Sequence, residues 1–401
     1  MEPESVARFR EYLQINSMHP NPDYASCAKF LKRQAEEIGL EFKTYECVPE
    51  KPIVIMKWPG TNPNLRPVIL NSHMDVVPVF EEFWNYPPFG AERVPTPDGD
   101  FRIYARGSQD MKIVGSCYLE AIRSLKAAGK TPKRTMILMY VPDEETGGVD
   151  GMRSFVETEE FKNINAEFAL DEGIANTGPE LYAYYSERSL NQVKFTAHGN
   201  TGHGSQFIPD TAISRIMNIA NELLALRDKE ENKLVSLYGN VDQKNLGEAT
   251  AINLTMFNGG VQANVVPESF TAYFDIRVTP NQNLAEFNTW LKQLAEKNHA
   301  DLEFLGETYI CPITDTSDNN PFWVALSKAL DNKGLEKISA IFPAGTDSRF
   351  LRRAGVPAIG ISPLRNHPVL LHDHDEYVTE SQFLEGIDMY ISIIHELGNV
   401  E

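Results

Sequence analysis

Short apolar runs alternate with helix-like patterns along the first part of the sequence, and this alternation constrains the fold more than any other feature. The strand-like runs cover residues 41–47, 53–58, 67–71 and 135–141. One helix-like pattern begins with Asn21 as N-cap and ends at Gly39, and a second covers residues 111–128 and ends at Gly129. Strands that alternate with helices of this length predict an α/β fold with a largely parallel sheet.

The pattern changes near residue 189, which predicts a second domain. Residues 193–198 and 270–278 alternate apolar and polar side chains, as in a sheet with one wet face. Helix-like patterns cover residues 211–226, behind Asp210 as N-cap, and 284–298. Buried-strand patterns return after residue 306, and Thr379 with Gln382 predicts the start of a closing helix. We therefore expect a discontinuous domain, 1–189 and 307–401, interrupted by an α+β domain at 190–306.

Composition excludes several classes of protein. The chain has 401 residues, 42% of them hydrophobic, which is typical of a globular protein and not of a disordered one. Its net charge of −19 disfavours nucleic acid and anionic membranes as partners. The four cysteines are far apart, the N-terminus is acidic, and no apolar run reaches the roughly 18 residues of a membrane span. These features predict a soluble, cytoplasmic protein with neither a zinc ribbon nor a dense disulfide framework.

Acidic residues and histidines occur where strand-like runs end or helices begin. The segments in question contain His73, Asp75, Asp110, Glu144, Glu145, Glu172 and His372. The carboxyl edge of an open α/β sheet is where ligands bind, because its loops approach one another there. Mixed nitrogen and oxygen ligands suit zinc, manganese or cobalt. The sequence therefore predicts a metal site at this edge.

Each residue taken alone also has an ordinary structural interpretation. His73 would be a hydrogen-bonded histidine at a strand end, and Asp110 a favourable charge at a helix N-terminus. Glu144 and Glu145 would form a solvated loop. A set of five such segments favours the metal site. In an extended turn, consecutive glutamates point opposite ways, so one could ligate a metal while the other acts as general base.

Four motifs resemble those of the M20 family of co-catalytic zinc peptidases and amidohydrolases. They are Ser-His-Met-Asp at 72–75, Gly-Ser-Gln-Asp-Met-Lys at 107–112, Asp-Glu-Glu-Thr-Gly-Gly at 143–148 and His-Asp-His-Asp-Glu at 372–376. Segments 168–176 and 345–350 are similar to the branch of the family that hydrolyses N-acyl-amino acids. The resemblance implies a zinc-peptidase-like α/β/α catalytic domain with an inserted two-layer α+β lid and dimerisation domain.

The resemblance also implies a metal centre with two Zn²⁺ per subunit, for which Mn²⁺ or Co²⁺ are possible substitutes. Asp110 would bridge the two ions. His73 and Glu172 would complete one site, and Glu145 and His372 the other. The family often has a cis peptide bond after the bridging aspartate.

The same resemblance implies catalytic roles for three residues. Glu144 would act as general base towards a hydroxide-forming water between the ions, and would later protonate the leaving amine. Asp75 would accept a hydrogen bond from His73 and fix its tautomer. His203 would donate to the oxyanion, from the partner subunit of a homodimer.

Four further residues are implied in substrate binding. Asn264 and Arg277 would contact the substrate, and Thr346 and Arg349 would hold its free carboxylate. The implied reaction is hydrolysis of N-acyl, chiefly N-acetyl, L-amino acids to a carboxylate and a free amino acid. The other histidines, among them His19, are expected to be structural.

Three alternatives remain open on the sequence. A related dipeptidase, or a deacylase of the acetylornithine or succinyl-diaminopimelate type, would keep the metal centre and change the pocket. A non-catalytic metal-binding scaffold would require a missing base or ligand, and none is missing.

The loop before His203 reads Asn200-Thr201-Gly202 where relatives often have a proline, which leaves the shape of that loop open.

Overall fold

A computed structural model of the chain describes residues 2–401. The α-helices are α1 (Glu4–Leu13), α2 (Tyr24–Ile38), α3 (Lys112–Ala127), α4 (Met152–Phe155), α5 (Glu159–Ile164), α6 (Ala212–Tyr238), α7 (Leu284–Lys297), α8 (Pro321–Asp331), α9 (Ser348–Arg353) and α10 (Glu380–Leu397). Short 3₁₀ helices cover Glu81–Phe83, Glu144–Thr146 and Leu246–Glu248.

The strands fall into four sheets. They are β1 (Glu41–Val48), β2 (Lys51–Trp58), β3 (Val68–His73), β4 (Glu92–Pro95), β5 (Phe101–Tyr104), β6 (Met136–Val141), β7 (Phe168–Asp171), β8 (Leu181–Glu187), β9 (Ser189–Leu190), β10 (Val193–His198), β11 (Gly202–His203), β12 (Ala251–Gly259), β13 (Val265–Val266), β14 (Ser269–Val278), β15 (Ala300–Phe304), β16 (Lys337–Phe342), β17 (Ala358–Ile361) and β18 (Tyr377–Thr379).

The largest sheet has the strand order β1-β2-β6-β3-β7-β17-β8-β16. Its central strands β6, β3, β7 and β17 are parallel, and every residue of β3, β6 and β7 is buried. The pairs β1/β2, β2/β6 and β17/β8 are antiparallel, so the expectation of a largely parallel sheet is wrong outside the centre. Only Pro49 and Glu50 separate β1 from β2, and such a short connection permits antiparallel pairing alone. The α/β fold class is confirmed.

Helix α2 begins later than the sequence pattern predicts. Asp23, and not Asn21, is its N-cap, because the Asp23 carboxylate accepts the main-chain N–H of Ser26 at 2.9 Å. The helix ends at Gly39 as expected, in the left-handed conformation with φ of 76°. Helix α10 begins as expected, because Thr379 accepts the main-chain N–H of Gln382.

The described chain divides into two compact units. One comprises Ser186–Ile313 and Ala340–Gly345, and the other comprises the remaining described residues and most of the large sheet. The predicted domain boundaries, and the lid and dimerisation role of the inserted domain, stay predictions.

The smaller unit is built on the sheet β12-β14-β10-β15, with α6 and α7 packed against it. Helix α6 has Thr211 and not Asp210 as N-cap, and it continues to Tyr238, well beyond the predicted end at residue 226. The segment after residue 226 is rich in charge, so its apolar periodicity fades although the backbone stays helical.

The helices and the cysteines bear on membrane insertion and on disulfide formation. Among residues 2–401, no helix combines the length and the apolar character that crossing a bilayer requires. Among residues 2–401, no disulfide joins any of the four cysteines, and three of them are buried.

Candidate active site

The carboxyl ends of the parallel strands carry the first group of polar side chains. His73 is the last residue of β3, and its Nε2 lies 3.1 Å from Asp110 Oδ1 and 3.6 Å from Glu172 Oε2. Glu172 directly follows β7, which pairs with β3. Parallel pairing therefore brings His73 and Glu172 to one edge of the sheet, as the sequence predicts.

A second histidine, His372, contacts the other carboxylate oxygen of Asp110. His372 Nε2 lies 3.2 Å from Asp110 Oδ2 and 3.1 Å from Glu145 Oε2. The Asp110 carboxylate thus lies between two imidazoles, and each imidazole also faces a glutamate. The peptide bond between Asp110 and Met111 is cis.

The electrostatics of this cluster indicate a deficit of positive charge. Burial and the Asp110 carboxylate raise the pKa of Glu145 to about 7, and the same causes raise the pKa of Glu172 well above its usual value. Hydrogen bonds to Asp110 and Glu145 raise the pKa of His372 to about 10. Although burial opposes it, hydrogen bonds to Asp110 and Glu172 raise the pKa of His73 well above its usual value. The acidic oxygens therefore favour a bound cation, either a proton or a metal.

The residues present fit a metal ion. Two groups place their ligand atoms within 4.8 Å of one another, namely His73 with Glu144 and Glu172, and His73 with Asp110 and Glu145. Glu145 Oε1 is buried and has no hydrogen-bond partner among the described residues. A mixed set of imidazole nitrogens and carboxylate oxygens suits zinc, manganese or cobalt. The individual ligand assignments stay predictions.

The two adjacent glutamates lie in a 3₁₀ turn, Glu144–Thr146, and not in the extended turn that the sequence suggests. Successive side chains in a 3₁₀ helix are separated by about 120°, so the two carboxylates still reach different neighbours. Glu145 faces His372. Burial and the Glu172 carboxylate raise the pKa of Glu144 well above its usual value.

Asp75 contacts both His73 and the turn that carries the two glutamates. His73 Nδ1 is 2.9 Å from the main-chain oxygen of Asp75, and 3.7 Å from its carboxylate. The Asp75 carboxylate accepts instead the main-chain N–H groups of Glu144 at 3.2 Å and Glu145 at 3.0 Å. Asp75 therefore accepts a hydrogen bond from His73 through its main-chain oxygen, while its carboxylate binds the turn after β6. Its catalytic role stays a prediction.

His19, which is expected to be structural, contacts Asp75 at the candidate site. Its Nε2 lies 2.9 Å from Asp75 Oδ2, and this contact raises the pKa of His19 although burial opposes the shift. His19 lies in an irregular segment between α1 and α2, next to a proline, with no periodicity to mark it. Only its position in space connects it to the site.

Thr346 and Arg349 lie in the larger unit, at and near the start of α9. Thr346 is buried and accepts the main-chain N–H of Ser348 at 3.2 Å. Arg349 is half-buried, with its guanidinium 4.6 Å from the centre of the Phe350 ring. A Cβ on Gly148 would lie 2.9 Å from that ring, so this segment touches the loop that follows the two glutamates. The predicted carboxylate-binding role of Thr346 and Arg349 stays a prediction.

His203 and Asn264 lie together in the smaller unit, because β11 pairs with β13. The main-chain N–H of Ser205 donates to His203 Nδ1 at 3.2 Å. Asn264 Nδ2 lies 3.4 Å from His203 Nε2. His203 is exposed, so its imidazole is accessible to a ligand. The predicted role of His203 at the oxyanion stays a prediction.

Arg277 lies on the polar face of β14 and is half-buried. Its guanidinium donates to the Asp275 carboxylate at 2.8 and 3.2 Å. Gln192 donates to the same carboxylate at 2.8 Å. The structure therefore pairs Arg277 with an acid of its own strand, and the substrate contact expected for it stays a prediction.

Comparison with known proteins identifies the family. The sequence profile described as Peptidase family M20/M25/M40 matches residues 69–396. The chain belongs to the M20/M25/M40 peptidase family. The resemblance that the four motifs indicate is thereby confirmed.

Curated relatives within this family cover the whole chain. Aminoacylase-1 from Sus scrofa and aminoacylase-1 from Homo sapiens are each 43% identical over 401 residues, which is 100% of this chain and 96% of each relative. Aminoacylase-1 from Dictyostelium discoideum is 39% identical over 409 residues, covering 100% of this chain and 99% of that protein. The chain is therefore a hydrolase of the M20 family with amidohydrolase function.

Solved structures share the fold at low sequence identity. An M20 family metallo-carboxypeptidase, Sso-CP2 from Sulfolobus solfataricus, matches with a TM-score of 0.76 at 19% identity and covers 99% of this chain and 100% of that one. A Bacillus subtilis protein described as a dinuclear metal binding peptidase from the M20 family matches with a TM-score of 0.67 at 16% identity, covering 97% and 96% of the two chains.

Proposed function

We propose that the chain hydrolyses the amide bond of N-acyl, chiefly N-acetyl, L-amino acids and releases a carboxylate and a free amino acid. The observation that carries this proposal is the Asp110 carboxylate lying between His73 and His372, each with its own glutamate. The identity of 43% with aminoacylase-1 over the full chain supports the choice of substrate class.

The proposed centre holds two Zn²⁺ ions, with Mn²⁺ or Co²⁺ as substitutes. Asp110 would contact both ions, with His73 and Glu172 on one side and Glu145 and His372 on the other. Bound divalent ions would polarise the scissile carbonyl and acidify water. The convergence of each histidine Nε2 on two carboxylates supports this division of ligands.

Glu144 is the proposed general base. Its carboxylate would accept a proton from the attacking water and later donate it to the leaving amine. In the metal-free site, burial and the Glu172 carboxylate raise the pKa of Glu144 well above its usual value. Asp75 would orient the turn that carries this base, because it binds the main-chain N–H of Glu144.

Thr346 and Arg349 are proposed to hold the free carboxylate of the substrate, with Asn264 and Arg277 as further contacts. A planar guanidinium can pair with a carboxylate through two parallel hydrogen bonds. The net charge of −19 opposes an anionic substrate only at long range, since salt screens exposed charges beyond about 8–10 Å. The same net charge supports a protein without nucleic-acid or membrane partners, which we place in the cytoplasm.

A substrate assay tests the proposed reaction. Purified protein is expected to release acetate from N-acetyl-methionine, to lose this activity on chelation, and to regain it when zinc is restored. Hydrolysis of a dipeptide, measured in parallel, should be much slower. Faster hydrolysis of the dipeptide by the zinc-loaded protein would overturn the substrate proposal and leave the metal centre in place.

We also propose that the protein is a homodimer in which His203 serves the metal centre of the partner subunit. Mixing two inactive variants, Glu144→Gln and His203→Ala, should then restore activity, because a heterodimer contains one site with both residues intact. Random exchange of subunits predicts about a quarter of the parental activity. If the mixture stays inactive after verified subunit exchange, His203 does not act across subunits.

A further inference from the structure

The loops that carry Asp110 and His372 run side by side because β5 and β18 are antiparallel partners. Tyr104, the last residue of β5, pairs with Tyr377, the first residue of β18. The hydrogen-bond ladder continues one residue into both loops, where the main-chain N–H of Ala105 donates to the main-chain oxygen of Glu376 at 3.0 Å. This register places the Glu376 side chain beside the segment that leads to Asp110.

The buried Glu376 carboxylate binds donors from that segment. Its Oε2 accepts the main-chain N–H of Gly107 at 3.0 Å and Arg106 Nη1 at 2.8 Å. Its Oε1 accepts the main-chain N–H groups of Gln109 at 2.6 Å and Asp110 at 3.3 Å. Both carboxylate oxygens of Glu376, a residue of the His372 loop, therefore bind and order the loop that carries Asp110.

Gln109 makes the reciprocal contacts. This buried side chain donates from Nε2 to the main-chain oxygens of Tyr377 at 2.9 Å and Pro368 at 3.2 Å. Its Oε1 accepts the main-chain N–H of Leu370 at 3.0 Å. The side chain next to Asp110 therefore fixes the backbone on both sides of His372.

The His372 loop needs such support. His372 has a φ of 63°, a left-handed conformation that is uncommon for residues other than glycine. Its side chain is 51% exposed, so burial alone does not fix its orientation. Hydrogen bonds to the neighbouring backbone supply the constraint that packing does not.

We propose that Glu376 and Gln109 are positioning residues that form a reciprocal clamp, which holds the His372 imidazole and the Asp110 carboxylate at the separation required to bind an ion together. This inference rests on the proposed two-ion centre. Outer partners of metal ligands act by orienting the ligands, and their removal weakens metal binding or activity by about 10- to 100-fold.

The variant Glu376→Gln tests the clamp without changing the size of the side chain. An amide has one acceptor and one donor end, whereas N–H groups face both oxygens of Glu376, so either orientation of the amide places N–H against N–H. We expect zinc retention at one of two sites to weaken by about 10- to 100-fold. We also expect kcat to fall with KM little changed, and amide exchange to accelerate in segments 105–110 and 366–377 of the metal-free protein.

Glu380→Gln is the matched control. Glu380 also pairs with an arginine, Arg93, at 2.5 and 3.0 Å, and it lies in the first turn of α10, outside the clamp. Its replacement should leave zinc retention and exchange in both segments unchanged. If Glu376→Gln does not fold, Gln109→Glu provides the same test, because it places a carboxylate oxygen against the Tyr377 and Pro368 oxygens while keeping the acceptor for Leu370.

The outcomes separate the clamp from the proposed function. Unchanged zinc retention and unchanged exchange in Glu376→Gln, with two ions in the parent protein, would overturn the clamp and leave the proposed function intact. A parent protein that binds no ions would contradict the proposed function. In that case the exchange measurement on metal-free protein still decides whether Glu376 holds the Asp110 loop.

Discussion

Glu144→Gln is expected to lower kcat for N-acetyl-methionine by about 10²- to 10⁴-fold while the zinc content stays at the parental value. Glutamine has nearly the same shape as glutamate but cannot accept the proton of the attacking water. The Asp75 carboxylate binds the main-chain N–H of residue 144, and this contact survives the change of side chain. Steady-state kinetics and metal analysis after dialysis measure the two quantities.

Glu145→Gln provides the neighbouring control. Its carboxylate faces His372 Nε2 at 3.1 Å, so this variant should lose zinc and not only turnover. Comparing the two variants also tests whether Glu144 is instead a metal ligand, since its carboxylate lies within 4.8 Å of ligand atoms of His73 and Glu172. Loss of zinc from Glu144→Gln to the same extent as from Glu145→Gln would identify Glu144 as a ligand and contradict its role as base.

The metal-free protein is expected to lose stability as the pH rises from about 5 to 9, and zinc should reverse this loss. The pKa of Glu145 is raised to about 7, so the folded state keeps a proton that the unfolded state releases near pH 4.5. The pKa of His372 is raised from 6.5 to about 10, so its contribution is complete below pH 6.5 and is lost as the pH rises towards 10. Both groups bind more protons in the folded state, and both effects have the same sign.

Zinc should remove this dependence because it takes the place of the protons. Metal binding requires deprotonated ligands, so the affinity increases with pH while the metal-free fold weakens. At about 1,000 times its dissociation constant, zinc would add roughly 4 kcal/mol to the free energy of unfolding. Thermal unfolding in chelator and in excess zinc, at several pH values, measures the difference.

His372→Gln separates this local effect from the general repulsion of a chain with net charge −19. The variant should remove the part of the loss above pH 6.5 that His372 contributes, and His395→Gln, in α10, is the matched control that leaves the acidic cluster intact. Metal-free parent protein that becomes more stable between pH 5 and 9 would contradict the assigned pKa directions.

The sequence alone predicted the elements that depend on local pattern. The runs that became β3 and β6 are continuous and apolar, and each is followed by polar residues of the candidate site, so both the strands and their functional ends were recognisable. The left-handed end of α2 at Gly39 was equally clear. The end of α6 was not, because a solvent-exposed helix loses its apolar periodicity while its backbone hydrogen bonds continue.

Residue type and motif determined which side chains form the candidate metal cluster, and the tertiary structure decided how they are held. No pattern in the sequence indicates that the Asp75 carboxylate binds the turn at Glu144, or that His19, 56 positions from Asp75, contacts that carboxylate. Nor does any pattern indicate that Glu376 binds the main-chain N–H of Asp110 across 266 positions. A hydrogen bond depends on distances of about 3 Å and on direction, and only the packing of distant segments sets these.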